Sequence, residues 1–289
     1  MMGVANENIK RAEEVVNSIG IPSQPGIVLA IHKEINDPCP DFKKITDLIG
    51  HDVAIAAKIL KIANSPFFGS RQVSSLEHAL SLLGIGNFNN LIITSALRDV
   101  LKGCGPSDEV FWNHSMLVAR ITAYIAKKTG VLPEEEAYLL GLFHDCAIPL
   151  LLKKFPDYVQ VFDSAIDYRP ESIYNEEKLV KTNHSIVGYI VAKSWRLPEV
   201  MCEAIQFHHA DSAVRQGDPS VSKARAALLL SEYICHCYTA EISGIPENDD
   251  EWLNHYGDVI CELDIDVDDI KDFKEDSIDM LSRMEYTCV

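Results

Sequence analysis

Residues 141–151 read GLFHDCAIPLL. A histidine and an aspartate, His144 and Asp145, stand together in an otherwise apolar run. Burying an unpaired carboxylate costs several kcal/mol or more, so such a pair calls for a partner, and a metal ion is one candidate. The flanks show what kind of element carries the pair. Upstream, Pro133 is followed by Glu134, Glu135 and Glu136. Proline in a first turn followed by acidic side chains is a helix start. Downstream, Pro149 is expected to bend or end that helix.

Working outward, apolar residues recur at helical spacing through nearly the whole chain, and no β-hairpin or βαβ alternation stands out. Helices are expected over 49–64, over 74–84 with Ser75 as cap and Gly84 as stop, and over 88–103. The stretch GCGPSD (103–108) concentrates turn formers and is read as a linker. Beyond it come helices over 110–130, 183–195, 197–209 and 222–240, with a looser segment over 155–175. The expected fold is all-α: two packed helical units, the second a helical bundle. The expected division is 1–105 for the first unit, 106–245 for the second and 246–289 for an acidic C-terminal helical cap.

The chain has 289 residues, 47% of them hydrophobic, and a formal net charge of −17. Residues 247–279 hold 14 Asp/Glu and 2 Lys, so −12 of that charge lies in the C-terminal segment. The acidity argues against nucleic acid or an anionic membrane surface as partner. Eight cysteines with no Cys-x-x-Cys, and no secretory signal at MMGVANENIK, point to reduced thiols in the cytoplasm. The apolar run over 137–152 is broken by His144-Asp145 and ends in Lys153-Lys154, too short and too charged to span a bilayer.

His114, His144 with Asp145, His184, His208 with His209, and Glu232 each lie in or at the edge of an otherwise apolar helix of the second unit. Helices of a bundle can bring such side chains to one interior cavity. Imidazole and carboxylate together suit a divalent transition metal such as Fe, Mn, Ni or Zn, as one ion or two. Adjacent helical residues point about 100° apart. His144 and Asp145 can thus flank one ion or serve two neighbouring ones. His32, His51, His78, His236 and His255 lack this company and are read as ordinary surface or core residues.

These residues resemble the HD superfamily of metal-dependent phosphohydrolases, and more closely its HDOD branch, the HD-related output domain of bacterial signalling proteins. The similarity covers about residues 20–240. IPSQPGIVLAI (21–31), LKIANSPFFG (60–69) and SSLEHALSLLGIGNFNNLIITSAL (74–97) look like the HDOD signature in the first unit. FWNHSMLVA (111–119), EEAYLLGLFHD (135–145), HSIVGYIVAKSWRLPE (184–199) and AIQFHH (204–209) fit the same family in the second.

The resemblance implies that one ion is held by His114, His144, Asp145 and a distant carboxylate. That carboxylate is an Asp in catalytic relatives, and Glu232 stands in its place. His184, His208 and His209 match ligands for a second ion in the more distantly similar HD-GYP phosphodiesterases. Two departures weigh against cyclic di-GMP hydrolysis. Val110 occupies the place of a further Glu ligand, and Ile148 that of a phosphate-holding Lys. A phosphodiester needs charge neutralisation beyond the metal. If the pocket is catalytic, Asp145 and His184 are the expected working residues. Lys181, Lys193 and Arg120 are the nearest candidate substrate cations. The implied role is a signal-transduction module that meets signalling proteins, with a small phosphorylated ligand as a further partner. The alternative is a metal-dependent phosphohydrolase acting on a nucleotide or other phosphoester.

Three other signals are set aside. DIDVDDIKDFKE (264–275) imitates a calcium loop but has Asp269 where the sharp turn needs Gly, and is read as an acidic helix. CHC (235–237) lacks the companion pair of a zinc finger. In ANSPFFG (63–69), Asn64 and Ser65 are expected to end a helix, with Phe67 and Phe68 anchoring the turn.

Overall fold

The computed structural model describes residues 2–20, 24–64, 73–103, 107–162, 166–169, 171–210, 218–242 and 249–285. The fold is all-α, with no strand among the described residues. The chain divides into two compact units, one formed by residues 23–100 with 279–289 and the other by 1–22 with 101–278. In chain order the first helix, α1 (Met2–Ile19), belongs to the latter unit.

The smaller unit holds α2 (Gly26–Ile35), α3 (Phe42–Gly50), α4 (Val53–Ala63), α5 (Leu76–Leu83) and α6, which begins at Ile85 and ends at Leu101. Asp41 caps α3, its Oδ1 accepting from the backbone of Lys43 and Lys44. Ser75 caps α5 through the backbone N–H of His78. Gly84 ends α5 with φ +75°, a left-handed conformation that favours glycine. That single residue suffices for the turn, so α6 starts three residues earlier than the periodicity suggests. Ile31, Ile45, Ile49, Phe88 and Ile92 are fully buried.

Asn64 follows α4 and bonds to both Leu60 and Val73. Its Nδ2 donates to Leu60 O at 2.8 Å and Val73 O at 2.7 Å, and its Oδ1 accepts from Val73 N at 2.7 Å. Residues 65–70, including Ser65, Phe67 and Phe68, lie outside the described residues. Asn64→Ala strands both polar groups of Val73. A loss of about 2 kcal/mol is expected, to be read as a lowered urea midpoint at unchanged m-value.

In the larger unit come α7 (Ser107–Thr129), α8 (Glu134–Phe143), α9 (Ile148–Lys154), a 3-10 turn (Pro156–Gln160) and α10 (Glu171–Val180). They are followed by α11 (His184–Ser194), α12 (Glu199–Phe207) and α13 (Pro219–Ile242), then by α14 (Asp249–Tyr256), α15 (Asp258–Leu263) and α16 (Val267–Glu285). The long α13 is central and packs against α7, α12 and α15, while α1 packs on α11. Gly141 lets α8 cross α7 closely: a Cβ there would sit 2.6 Å from Ala119 Cα and 2.7 Å from Thr122 Oγ1.

The helix carrying the HD pair breaks earlier than expected. α8 stops at Phe143, and residues 144–147 form a turn in which Cys146 N donates to Phe143 O and Ile148 N to Asp145 O. Pro149 then lies in the first turn of α9. Its ring would clash with the carbonyl four residues back, that of Asp145, had the α-ladder continued. The proline therefore ends the helix at the residues of interest.

The acidic C-terminal segment has an aromatic inner face. Trp252 is buried and stacks on Tyr233 with ring centroids 4.6 Å apart, and Phe273 meets Tyr124 edge-on at 6.0 Å. The calcium-like stretch is a helix start. Asp266 Oδ1 accepts from the backbone of Asp268 and Asp269, and Asp269 Oδ2 accepts from Asp266 N at 2.7 Å, a reciprocal cap. Among the described residues no single helix is long and apolar enough to cross a membrane; α5 and α6 would suffice only together, and they meet at 116°.

Candidate metal centre

All the sequence-predicted ligands belong to the larger unit. The HD turn supplies His144 and Asp145, α7 supplies His114, the start of α11 His184, the turn after α12 His208 and His209, and α13 Glu232. Asp145 lies among them. Its Oδ2 is 3.1 Å from His144 Nε2 and 3.6 Å from His114 Nε2, and its Oδ1 is 3.3 Å from His184 Nε2 and 3.7 Å from His208 Nε2. Glu232 Oε1 reaches His144 Nε2 at 3.3 Å and His208 Nε2 at 3.8 Å, so its extra methylene does not keep it from the cluster. His209 packs its ring on those of His208 and His184, with centroids 4.1 and 4.9 Å away. Three overlapping groups each place their donor atoms within 4.8 Å of one another: His114, His144 and Asp145; Asp145, His208 and Glu232; His184, His208 and His209.

The outer nitrogens show which way the rings present their lone pairs. His144 Nδ1 donates to Gly141 O and His208 Nδ1 to Ile205 O, each at 2.6 Å, and His184 Nδ1 donates to Glu176 Oε1 at 2.5 Å. A carbonyl can only accept, so Nδ1 carries the proton in these rings and Nε2 is the donor atom turned inward. His184 Nε2 and His208 Nε2 then face each other at 3.2 Å. Two neutral imidazoles cannot share that separation without a proton or a cation between them. The buried His114 Nε2, His144 Nε2, Asp145 Oδ1, His209 Nδ1 and Glu232 Oε2 make no hydrogen bond in the structure. Buried polar atoms are normally satisfied. A divalent ion fits this donor set.

The ion-free electrostatics agree with a site built for positive charge. Burial raises the Asp145 carboxyl, but the imidazoles of His144 and His184 outweigh it and hold the group well below the usual carboxylate range. Burial opposes protonation of His114 and His184. Contacts with Asp145 and Cys235 nevertheless hold His114 up at about 10, and the charges of Glu176 and Asp145 hold His184 up at about 9. His208 and His209 are pushed down, by burial first and by neighbouring imidazolium charge. Glu232 is raised by burial to about 7. A ligating imidazole must shed its proton, so filling the site at pH 7.5 is expected to release about two protons, from His114 and His184. Calorimetric titration in buffers of different ionisation enthalpy measures this directly. Raised histidine pKa values stabilise the ion-free fold fully below about pH 6.5. That contribution fades as pH rises towards 9–10, while metal affinity grows over the same window.

Several supporting residues escaped the sequence reading. Arg225 pins the His208–His209 turn, its Nε donating to Phe207 O at 2.7 Å and its Nη2 to Ala210 O. It lies seven residues before Glu232 on α13, two turns along one face, which is a readable signal. Cys235 Sγ lies 3.8 Å from His114 Nδ1. Glu176 is fully buried on α10, of which only residues 171–175 fall in the loose segment expected over 155–175. Its signal was the stripe Ser172, Glu176, Val180, spaced i, i+4, i+8. Of the other candidates, Lys193 pairs with Glu199 and Lys181 donates to Lys178 O, both at the surface, and Arg120 is half-buried. His32, His51, His78 and His255 are exposed, and His236 packs on Tyr168.

Comparison with known proteins places these features in company. The HDOD domain family model matches residues 21–211. An HDOD domain protein of unknown function from Geobacter sulfurreducens is 31% identical, with 80% of this chain and 78% of that one covered, at a TM-score of 0.67. A provisionally named phosphohydrolase from Shewanella amazonensis is 22% identical over 93% of this chain and 94% of its own, with a TM-score of 0.71. A curated protein of Treponema pallidum is 24% identical over 71% of this chain but only 41% of its own length. The chain thus spans well under half of that relative.

Proposed function

The chain belongs to the HDOD domain family, and from that premise we propose that it is a signal-transduction module whose HD-like pocket binds divalent metal, with weak or no catalysis. The observation that carries the metal is the convergence of buried imidazole and carboxylate donors in three overlapping groups, each within 4.8 Å, with His114 Nε2, His144 Nε2 and Asp145 Oδ1 making no hydrogen bond. His114, His144, Asp145 and Glu232 would hold one ion, and His184, His208 and His209 with Asp145 a second. Iron, manganese, nickel and zinc all suit this mixture of nitrogen and oxygen donors.

The support for weak catalysis lies around the ligands. Ile148, at the place where related phosphodiesterases carry a lysine, is fully buried, so no cation reaches a substrate from there. The ligands are closed off from solvent except at His114, whose side chain is 14% exposed, beside Val110, which is 50% exposed. A phosphoester would meet an apolar edge. Signalling proteins, engaged through surfaces outside the pocket, and a small phosphorylated ligand are the proposed partners.

A second reading, metal-dependent hydrolysis of a nucleotide or other phosphoester, draws on one observation: Glu232 completes the carboxylate–imidazole set at ligand-like separations. A bound divalent ion supplies Lewis acidity and lowers the pKa of nearby water towards neutrality. Asp145 would orient that water. His184, with its Nδ1 held by Glu176, would present Nε2 either as a ligand or, where it does not ligate, as a proton donor. Elemental analysis of the purified protein, then turnover of a generic phosphodiester and of nucleotides with Mn²⁺ or Ni²⁺, separates the two. Metal without turnover supports the module; turnover lost in Asp145→Asn supports the hydrolase.

A further inference from the structure

Glu176 enters both readings only as the acceptor behind His184. It is a fully buried carboxylate on α10, and both of its oxygens reach His184, with the buried Tyr158 hydroxyl also beside it. Oε1 accepts from His184 Nδ1 at 2.5 Å and Oε2 from the His184 backbone N–H at 2.6 Å. The start of α11 does not require this. Asn183 already caps it, with Oδ1 accepting from Ile186 N at 3.0 Å. A second, buried charge is an expensive way to begin a helix.

The difference between His184 and its two counterparts explains the cost. His144 and His208 sit at helix C-termini, where the carbonyl three residues back, Gly141 O or Ile205 O, is at hand for Nδ1–H. His184 is the first residue of its helix and has no such carbonyl behind it. Its outer nitrogen needs an acceptor brought from another element. A carboxylate there also strengthens Nε2 as a donor atom, which a neutral acceptor does less well.

We infer that Glu176 is a positioning residue of the metal centre, which fixes the ring and the Nδ1–H tautomer of His184 so that Nε2 is presented to the ion held with His208 and His209. This rests on the metal-binding reading above. In Glu176→Gln the amide can donate to Nδ1, which moves the ring proton to Nε2 and blocks the lone pair.

The test is a double-mutant cycle on the full chain, titrated with Zn²⁺ and Ni²⁺. Glu176→Gln is expected to weaken binding ~10- to 100-fold in the wild-type background, and to have no further effect in His184→Ala. In Zn²⁺-loaded wild type, the His184 Nδ1–H proton is expected downfield of those of His144 and His208, because its acceptor is charged; Glu176→Gln should move it upfield. Glu176→Asp keeps the charge and guards against a folding failure: it should retain the downfield proton and lose less affinity than Gln. Equal losses in both backgrounds, or unchanged affinity and proton shift, overturn the inference and leave the metal reading standing. Wild type that takes up no ion overturns both.

Discussion

Asp145→Asn is expected to remove divalent-metal binding from both halves of the pocket at once. Each oxygen of Asp145 faces a different pair of imidazoles: Oδ2 looks to His144 and His114, and Oδ1 to His184 and His208. Among the described residues no other carboxylate is shared in this way; Glu232 offers one oxygen, Oε1, to His144 and His208. The asparagine has nearly the same volume, so packing is preserved. Its amide nitrogen, however, must donate to an imidazole, and so occupies a lone pair meant for the ion. Removing one partner from a buried charged cluster costs about 3–5 kcal/mol, a hundred- to several-thousand-fold weaker Kd at ~1.4 kcal/mol per decade. Glu232→Gln should lose much less. The substitution also strips His114 and His184 of the charge that keeps them protonated, so whatever binding persists should release fewer protons than wild type. Titration calorimetry and metal analysis after dialysis read both effects. An Asp145→Asn protein that retains metal with wild-type affinity would remove Asp145 from the centre of the site.

How much of this was visible beforehand depended on whether the signal was local. His144-Asp145 stood out because two ionisable side chains interrupt an apolar run, and the chemistry of that interruption can be read without a fold. Pro133 and the three glutamates marked the start of α8 for the same reason. Its end was misplaced because a proline acts on the carbonyl four residues before it, so Pro149 breaks the helix at the HD pair and not at itself. Glu176 was missed for a different reason. Its neighbours on α10 are polar, and it looks like one more solvated glutamate until His184, eight residues on, is known to need an acceptor. The acidic C-terminal segment was read by its charge, whereas its docking is decided by Trp252 and Phe273, which face α13 and α7. Residues that bear chemistry announced themselves; residues that place them did so only through tertiary contacts.

Gly141 belongs to that second class, and its substitution gives the second large effect. In an uncrowded helix Gly→Ala stabilises by about 1 kcal/mol. At Gly141 the sign is expected to reverse. The new Cβ would lie 2.6 Å from Ala119 Cα, 2.7 Å from Thr122 Oγ1 and 2.9 Å from Ala119 N. Two of those three atoms are backbone of α7 and cannot rotate away, so α7 and α8 must part by the better part of an ångström. Overpacking of this kind costs about 3 kcal/mol, which for a unit of this size corresponds to a fall of roughly 6–12 °C in Tm. The site should suffer too. Gly141 O holds the Nδ1–H of His144 at 2.6 Å, so moving α8 turns the ring that faces Asp145 and Glu232. Gly188→Ala is the control. Its Cβ would meet Ile205 Cγ2 at 3.2 Å and His144 O at 3.3 Å, and the isoleucine side chain can give by a few tenths of an ångström. There the helix-propensity gain roughly offsets the crowding, and Tm should move by only a few degrees in either direction. Thermal melts of the ion-free proteins separate the two. If Gly141→Ala melts with or above Gly188→Ala, the close crossing of α7 and α8 is not what holds His144 in place.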